Sequence, residues 1–213
     1  MIDIGNNRVK RWVKGSLSLC LFTLLPLFAS CSEASEEDPE WADWQHRNEV
    51  YFEQKFQEYS TQTDTRFTLP SWGVPSKIVV GTVEHTKCIL VDVLEKGELG
   101  KQTHPYYTDT VEVIYLGRLM PSAHYPLGYE FDRSYLSTYD PDVDVPAKLA
   151  VNTVVEGFST ALQNMKRGDI WHVTVPYQLG YGAMEKTGIP AYSTLEFEIC
   201  LTDFWSKKRG DRD

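Results

Sequence analysis

The sequence predicts an α+β fold in which an antiparallel sheet covers one short helix. From about residue 86, several segments alternate β-branched and polar residues, which is the pattern of half-buried strands. A single helical pattern lies between these segments, and a second, aromatic one precedes them. Several strands, one helix and then further strands favour an antiparallel sheet with the helix on one face.

The N-terminal 30 residues have the pattern of an export signal. Four basic residues precede the apolar stretch SLSLCLFTLLPLFAS (16–30), which is too short to span a membrane comfortably. The stretch ends in LFASC, which resembles the lipobox of bacterial lipoproteins. We therefore expect a lipoprotein signal peptide over residues 1–30 and lipidation of Cys31. The alternatives are an ordinary signal peptide cut nearby or an uncleaved anchor.

The charge of the chain argues against nucleic acid as a partner. Loss of residues 1–30 removes four basic residues and one acidic residue, so the formal charge changes from −9 to −12. An acidic body is repelled by nucleic acid and by anionic lipid.

Beyond Cys31 two cysteines remain, Cys88 and Cys200. An exported compartment permits a disulfide between them, and two buried thiols are the alternative.

Two segments precede the predicted sheet. Residues 31–40 are acidic and small, so we expect a flexible tether. Residues 41–85 are predicted to form a helix and then a linker, TLPSWGVPSK, with two prolines and a glycine. The helix carries an aromatic stripe of Trp41, Trp44, Tyr51, Phe52, Phe56 and Tyr59. This stripe either packs on the main domain or forms a homodimer through residues 41–59.

Residues 86–205 are predicted to form one domain, followed by a charged tail at 206–213. Strand patterns occur at 87–95, 109–119, 170–175 and 193–204. Residues 120–147 contain four prolines with many Tyr and Asp, which predicts a long loop. Residues 156–166 predict a short helix. One face of this helix presents Phe158, Leu162 and Met165.

The usual catalytic motifs are missing from the sequence. There is no G-x-S-x-G, no glycine-rich phosphate loop and no metal motif. His85 and Cys88 form a lone H-x-x-C, too little for a structural zinc site with four ligands. We therefore expect neither metal nor cofactor. What remains is the segment YEFDRSY (129–135), in which a carboxylate, Asp132, lies among aromatic residues. Such a charge is costly to desolvate unless a partner pairs with it.

Five motifs in order give the sequence a family resemblance. They are VEVIYLGRL, YEFDRSY, PAKLAVNTVVEGFSTALQNMKRGD, VPYQLGYG and GIPAYSTLEFEICL. In this order, over about residues 86–204, they resemble the FKBP-type peptidyl-prolyl cis-trans isomerases. The resemblance implies a strongly bent antiparallel sheet of about five strands wrapped around the short helix. It also implies an enzyme for unfolded or proline-containing polypeptides, and the export signal places it at the bacterial cell envelope.

The resemblance also implies roles for individual residues. The backbone N–H of Val155 and the hydroxyl of Tyr181 are expected to bind substrate carbonyls. Asp132 is expected to be a buried acid of the site, held by neighbouring hydroxyls or by Arg133. The expected substrate-binding residues are Tyr115, Phe131, Val154, Phe158, Ile189 and Phe197.

The sequence departs from the family pattern at three places. Phe158 stands where a tryptophan usually floors the pocket, and Ala147 stands where some members carry a phenylalanine. The loop at 120–146 is longer than usual. From these departures we infer a wider, shallower proline pocket. They also leave open an alternative function, a binding or chaperone module with little turnover.

Overall fold

The computed structural model describes residues 39–75, 83–97, 104–136 and 143–206. The predicted signal peptide, Cys31, most of the tether and the charged tail beyond residue 206 lie outside the described residues. Within the described part, no helix has the length and apolar character needed to cross a membrane.

A seven-stranded antiparallel sheet and two helices make up the described fold. The strands are β1 (Arg66–Pro70), β2 (Cys88–Glu95), β3 (Asp109–Leu119), β4 (Glu130–Arg133), β5 (Ala147–Ala150), β6 (Ile170–Val175) and β7 (Leu195–Ser206). The helices are α1 (Trp44–Glu58) and α2 (Glu156–Leu162). The strand order is β1-β2-β6-β7-β3-β4, and β5 pairs with β3 beside β4. The α+β fold is confirmed, with two strands more than the five expected.

The long pair β3–β7 forms the centre of the sheet. The two strands pair antiparallel from Asp109–Ser206 to Leu119–Leu195, with one irregularity between Glu112 and Val113. Apolar residues alternate along β7, as the sequence predicts, and their side chains are buried on one face. These residues are Leu195, Phe197, Ile199 and Leu201.

Helix α2 packs directly against the sheet, in contact with β2 and β6. All its residues from Gly157 to Leu162 are buried. Gly157 permits this close approach, because a Cβ at that position would lie 2.3 Å from Cγ1 of Val175. Phe158 and Leu162 face the core as predicted, and Met165 is buried just beyond the helix.

Two expectations about irregular segments are wrong. The expected linker at 68–77 contains most of β1, which pairs with β2 along its whole length. Its terminal Pro70 is tolerated because β1 is an edge strand, where one N–H can be lost. The expected loop at 120–147 contains β4, which pairs with β3. Both strands are short and depend on partners that local sequence patterns do not reveal.

The aromatic helix α1 packs on the main domain, which was one of the two expectations. Trp44 and Phe52 are buried, and Trp44 Nε1 donates a hydrogen bond to Oγ of Ser193 at 2.8 Å. The buried amide of Asn48 accepts from the backbone N–H of Thr194 at 2.7 Å. The start of β7 is therefore fixed by α1. A homodimer through residues 41–59 stays a prediction.

One further expectation needs correction. The end of the predicted tether is ordered, because residues Pro39–Trp41 form a 3-10 turn and the Glu40 side chain is buried. Of the two possibilities for the cysteines, the disulfide is not formed, since Cys88 and Cys200 are both free thiols. Burial raises the pKa of each thiol, so both favour the neutral form. Only Cys88 is fully buried, so the alternative of two buried thiols holds for one of them.

A carboxylate on β7 anchors the middle of α1. Glu196 accepts a hydrogen bond from the hydroxyl of Tyr51 and lies 3.2 Å from Nζ of Lys55. His172 is half-buried, with Nε2 3.5 Å from the same carboxylate. Burial alone would raise the pKa of Glu196. His172, Lys55 and Tyr51 outweigh that effect and lower the pKa to about 2.

Glu196→Gln is expected to remove an acid-sensitive part of the stability. A carboxyl whose pKa falls from 4.5 to about 2 on folding stabilises the protein above pH 4.5, and this contribution is lost as the pH falls toward 2. It amounts to about 3 kcal/mol at most. Urea unfolding at a series of pH values should show a shallower decrease over this range in the variant. Glu198→Gln, at an exposed position two residues along β7, is the matched control. An unchanged pH profile in Glu196→Gln would contradict this role.

Candidate active site

Four aromatic rings from different elements meet at one end of α2. The rings of Phe158 and Phe197 are perpendicular, with centroids 4.9 Å apart. Tyr115 contacts Phe158 at 5.8 Å, and Phe131 contacts Phe197 at 5.7 Å, both edge to face. Perpendicular rings at these distances attract one another beyond the effect of burial. The structure thus joins β3, β4, α2 and β7 in one ring cluster.

A β-bulge and a glycine place the ring of Phe131. Gly117 pairs with Asp132 and Arg118 pairs with Glu130, so Phe131 is the extra residue of β4. A Cβ at Gly117 would lie 2.7 Å from the Phe131 ring and 3.0 Å from the Phe197 ring. The ring cluster therefore needs a residue without a side chain at this position of β3.

Asp132 lies next to the ring cluster and binds one of its members. Its Oδ2 accepts a hydrogen bond from the hydroxyl of Tyr115 at 2.8 Å. The expectation of a buried acid is wrong, because Asp132 is exposed. Of its two expected partners, Arg133 pairs with Glu130 at 2.8 Å. The other expected partner, a neighbouring hydroxyl, is present.

Tyr181 faces the same carboxylate from the loop after β6. Burial raises the pKa of the Tyr181 phenol, and the negative charge of Asp132 raises it further. Burial also raises the pKa of Tyr115, with additional contributions from the hydrogen bond to Asp132 and from its charge. Both phenols thus remain protonated donors at physiological pH. Tyr181 is half-buried, and Nζ of Lys186 lies 5.9 Å from the centroid of its ring.

Val154 and Val155 precede α2 and pack against the core. Val155 is the N-cap residue, and its carbonyl accepts from the N–H of Ser159 at 2.9 Å. Within the described ranges, the N–H of Val155 has no acceptor. Val155 is half-buried, and an N–H at the start of a helix that has no acceptor among the described residues is available to an external carbonyl.

Ile189 approaches the site from a tight reverse turn. The backbone groups of Lys186 and Ile189 form two reciprocal hydrogen bonds of 2.9 Å. The Ile189 side chain is buried in the same apolar core as Phe197. Eight of the nine residues predicted for the site belong to or pack against one apolar core, and the ninth, Asp132, contacts it through Tyr115. Their role in a site stays a prediction. Ile189 also borders a cavity.

The titratable groups in the described ranges do not gather into a metal site. No three or more histidine, cysteine, aspartate or glutamate side chains are grouped there to hold an ion. The site presents aromatic rings, one carboxylate, phenol donors and a backbone N–H. Such an arrangement binds an uncharged, partly apolar group and holds carbonyl oxygens.

Residues 101–202 match the sequence model of the family described as "FKBP-type peptidyl-prolyl cis-trans isomerase". This segment is an FKBP-family domain. The FkpA isomerase of Escherichia coli K12 is 33% identical over 114 residues, which are 54% of this chain and 38% of that protein. The Mip isomerase of Coxiella burnetii is 35% identical over 92 residues, 43% of this chain and 35% of that protein. The chain thus spans less than half the length of these curated FKBP relatives.

Solved structures support the same family assignment. The crystal structure of FkpA from Escherichia coli has a TM-score of 0.53 at 25% identity, and the match covers 77% of this chain and 62% of that one. A peptidyl-prolyl isomerase from Pseudomonas syringae also gives 0.53, at 23% identity, with 80% and 99% covered. The second likeness shows the FKBP fold alone.

Two features of this FKBP site have no specific signal in the sequence. Gly117 was visible in the motif YLG, but its closeness to two rings depends on the register of β3 with both neighbours. The role of Ser134 also has no signal in the sequence. Its hydroxyl accepts from the backbone N–H of Tyr115 at 2.9 Å, which fixes the backbone beneath that ring.

Asp132→Asn is expected to lower the pKa of both Tyr115 and Tyr181. Loss of the negative charge favours both phenolates, although burial still holds their pKa values above the ordinary range. A titration of ¹³Cζ-labelled tyrosines by NMR, between about pH 8 and pH 12, measures these shifts. Tyr177 is the internal control, because burial and Glu49 raise its pKa. If neither Tyr115 nor Tyr181 shifts, the carboxylate does not face them in solution.

Proposed function

We propose that this chain is a peptidyl-prolyl cis-trans isomerase that accelerates rotation about X–Pro bonds in exported proteins. The observation that carries the proposal is the ring cluster of Tyr115, Phe131, Phe158 and Phe197 beside the available N–H of Val155. The family assignment supports it. Substrates are unfolded or proline-containing polypeptides.

Such a site accelerates rotation without forming a covalent bond. The partial double bond of the X–Pro amide imposes a barrier of roughly 20 kcal/mol. The twisted transition state has lost amide resonance, so its C–N–C=O unit is less polar than the planar ground state. An apolar cleft therefore binds the twisted form better than the planar form, and such differential binding accelerates the reaction.

The polar groups at the edge of the cleft orient the peptide. The N–H of Val155 binds one carbonyl flanking the proline, and the hydroxyl of Tyr181 binds another. Fixing both ends restricts the bound peptide to rotation about the imide bond. Asp132 is the third polar group of the cleft. It accepts a hydrogen bond from the hydroxyl of Tyr115 and keeps a negative potential near the rotating carbonyl.

The apolar residues shape the space for the proline ring. Phe158 forms the floor, because it is buried between Tyr115 and Phe197. Phe131 forms one wall. Val154 and Ile189 complete the apolar boundary on either side. A phenylalanine floor is smaller than tryptophan, so the pocket accepts a wider range of residues around the proline.

Asp132→Ala and Tyr115→Phe should both lower kcat/KM for a proline tetrapeptide in a protease-coupled assay. Each removes the same hydrogen bond, which is worth about 1 kcal/mol, or about fivefold in rate. The fold should stay cooperative, because Asp132 is exposed. Asp64→Ala is the control, since Asp64 is an exposed carboxylate that pairs with Lys96 outside the site.

Unchanged turnover in Asp132→Ala would refute its role while leaving the isomerase proposal intact. No turnover by the wild-type protein would refute isomerase activity itself. Retained binding of unfolded protein would then favour the binding or chaperone module.

We further propose that the protein is exported and lipid-anchored through Cys31 at the bacterial cell envelope. The support is the sequence alone: a basic start, an apolar stretch and LFASC. A lipid chain on the cysteine would hold an acidic domain at a membrane through the acyl group rather than through charge.

Cys31→Ser should abolish incorporation of labelled fatty acid and release the protein from the membrane fraction of a bacterial host. Cys20→Ser is the matched control, because Cys20 lies in the same apolar stretch but outside the LFASC motif. Fatty acid label that persists in Cys31→Ser, or is lost equally in Cys20→Ser, would contradict lipidation at Cys31.

A further inference from the structure

A cavity lies at the turn that carries Ile189, and the N-terminal extension, residues 39–59, forms one of its walls. Its volume is about 820 Å³, within the range of roughly 300–1,000 Å³ typical of ligand sites. The three walls come from residues 40–45, 124–129 and 185–192. We call this cavity the extension groove. Only the last wall includes a residue predicted for the proline site, Ile189.

A contact between a buried carboxylate and an exposed histidine joins two of the three walls. Nδ1 of His124 lies 2.7 Å from the Glu40 carboxylate, whose side chain is 3% exposed. The backbone N–H of His124 donates to the same carboxylate at 3.3 Å. The groove is therefore built by specific contacts between the extension and the loop after β3.

Aromatic rings line the groove where these two walls meet. The ring planes of Trp41 and Tyr125 are inclined by 14°, with centroids 6.4 Å apart. Tyr129 stands nearly perpendicular to both, with centroid distances of 6.4 Å to Trp41 and 5.0 Å to Tyr125. Rigid aromatic surfaces of this kind bind extended or polyproline-II segments, whose side chains pack between the rings.

The extension groove and the proposed proline site share residues of one turn. Ile189 contributes to both, and Lys186 lines the groove while its Nζ lies 5.9 Å from the centroid of the Tyr181 ring. Tyr129 lies against the same turn, since a Cβ at Gly188 would be 3.3 Å from its ring. A peptide that leaves the proline site past Ile189 would therefore meet the groove.

The charges of the groove favour a basic segment. Asp43 and Glu185 both line it and are exposed, and neither forms an ion pair with any described residue. Glu40 is buried against His124, and the lysine of the lining, Lys186, has its Nζ 5.9 Å from the centroid of the Tyr181 ring. Carboxylates therefore outnumber lysines along the groove, in a protein whose net charge is −9.

We propose that the extension groove binds the polypeptide segment adjacent to the isomerised proline. The preferred segment is extended, with proline or another apolar side chain against Trp41 and Tyr125 and with Lys or Arg near Asp43 and Glu185. This proposal rests on the isomerase function proposed above and names the substrate class that the same protein selects.

The test compares two substrates in the full-length protein. The first is a neutral proline tetrapeptide, and the second carries the same four residues with flanking Lys and Pro on both sides. Tyr125→Ala is expected to leave kcat/KM of the tetrapeptide within about twofold and to lower that of the long peptide by about fivefold, the effect of one lost contact of about 1 kcal/mol. Tyr107→Ala is the matched control, because both tyrosines are 39% exposed and Tyr107 lies outside the groove.

A double variant tests the preference for a basic segment. The double variant Asp43→Asn with Glu185→Gln is expected to lower kcat/KM only for the basic long peptide, and not for the same peptide with Gln in place of Lys. Asparagine suits position 43 because the backbone there is left-handed, with φ of 51°. The control is Glu58→Gln with Glu95→Gln, which removes two exposed carboxylates elsewhere.

The outcomes separate the two proposals. No turnover of the tetrapeptide would refute the isomerase function, and fluorescence anisotropy of the labelled long peptide would then test the groove directly. Equal long-to-short ratios of kcat/KM in wild type and Tyr125→Ala, or equal anisotropy titrations in the two proteins, would overturn the groove proposal. A loss limited to the long peptide would support it.

Discussion

The close packing of α2 against β6 is the constraint on which the site depends. Gly157 lets the helix backbone lie directly on Val175, so the helix is held at a fixed depth in the curved sheet. The residue before the helix, Val155, and the residue after the glycine, Phe158, are placed by the same contact. A larger residue at 157 would move the N–H of Val155 and the floor of the pocket together.

The sequence predicted those elements whose signal is local. Strands β3 and β7 alternate over eleven and twelve residues, so both were predicted close to their observed bounds. Strands β1 and β4 have five and four residues and hold their place only through β2 and β3, so their own sequences read as loop. Prolines near β1 and β4 also favoured the prediction of loops. Long-range pairing, which no local pattern contains, explains the difference.

The same distinction applies to the site. The aromatic residues could be predicted because their types and order are specific. The environment of Asp132 could not, because its exposure depends on a bulge that turns Phe131, rather than the acid, over Gly117. The extension groove was also beyond prediction, since it requires Glu40 and His124 to meet across 84 positions. Glu40, the last residue of the predicted tether, thereby forms part of a wall of the groove.

The contact between Ser71 and Glu156 ties residues upstream of the family match to the helix of the site. The hydroxyl of Ser71, just after β1, donates to the carboxylate at the first position of α2. The residues that match the family start at 101, so Ser71 lies upstream of them while Glu156 lies within them. A fragment trimmed to residues 101–202 would lose β1 and β2, leave β6 as a bare edge open to pairing with other chains, and release the start of the helix that carries the pocket floor. The folded unit of this protein therefore extends upstream of the residues that match the family model.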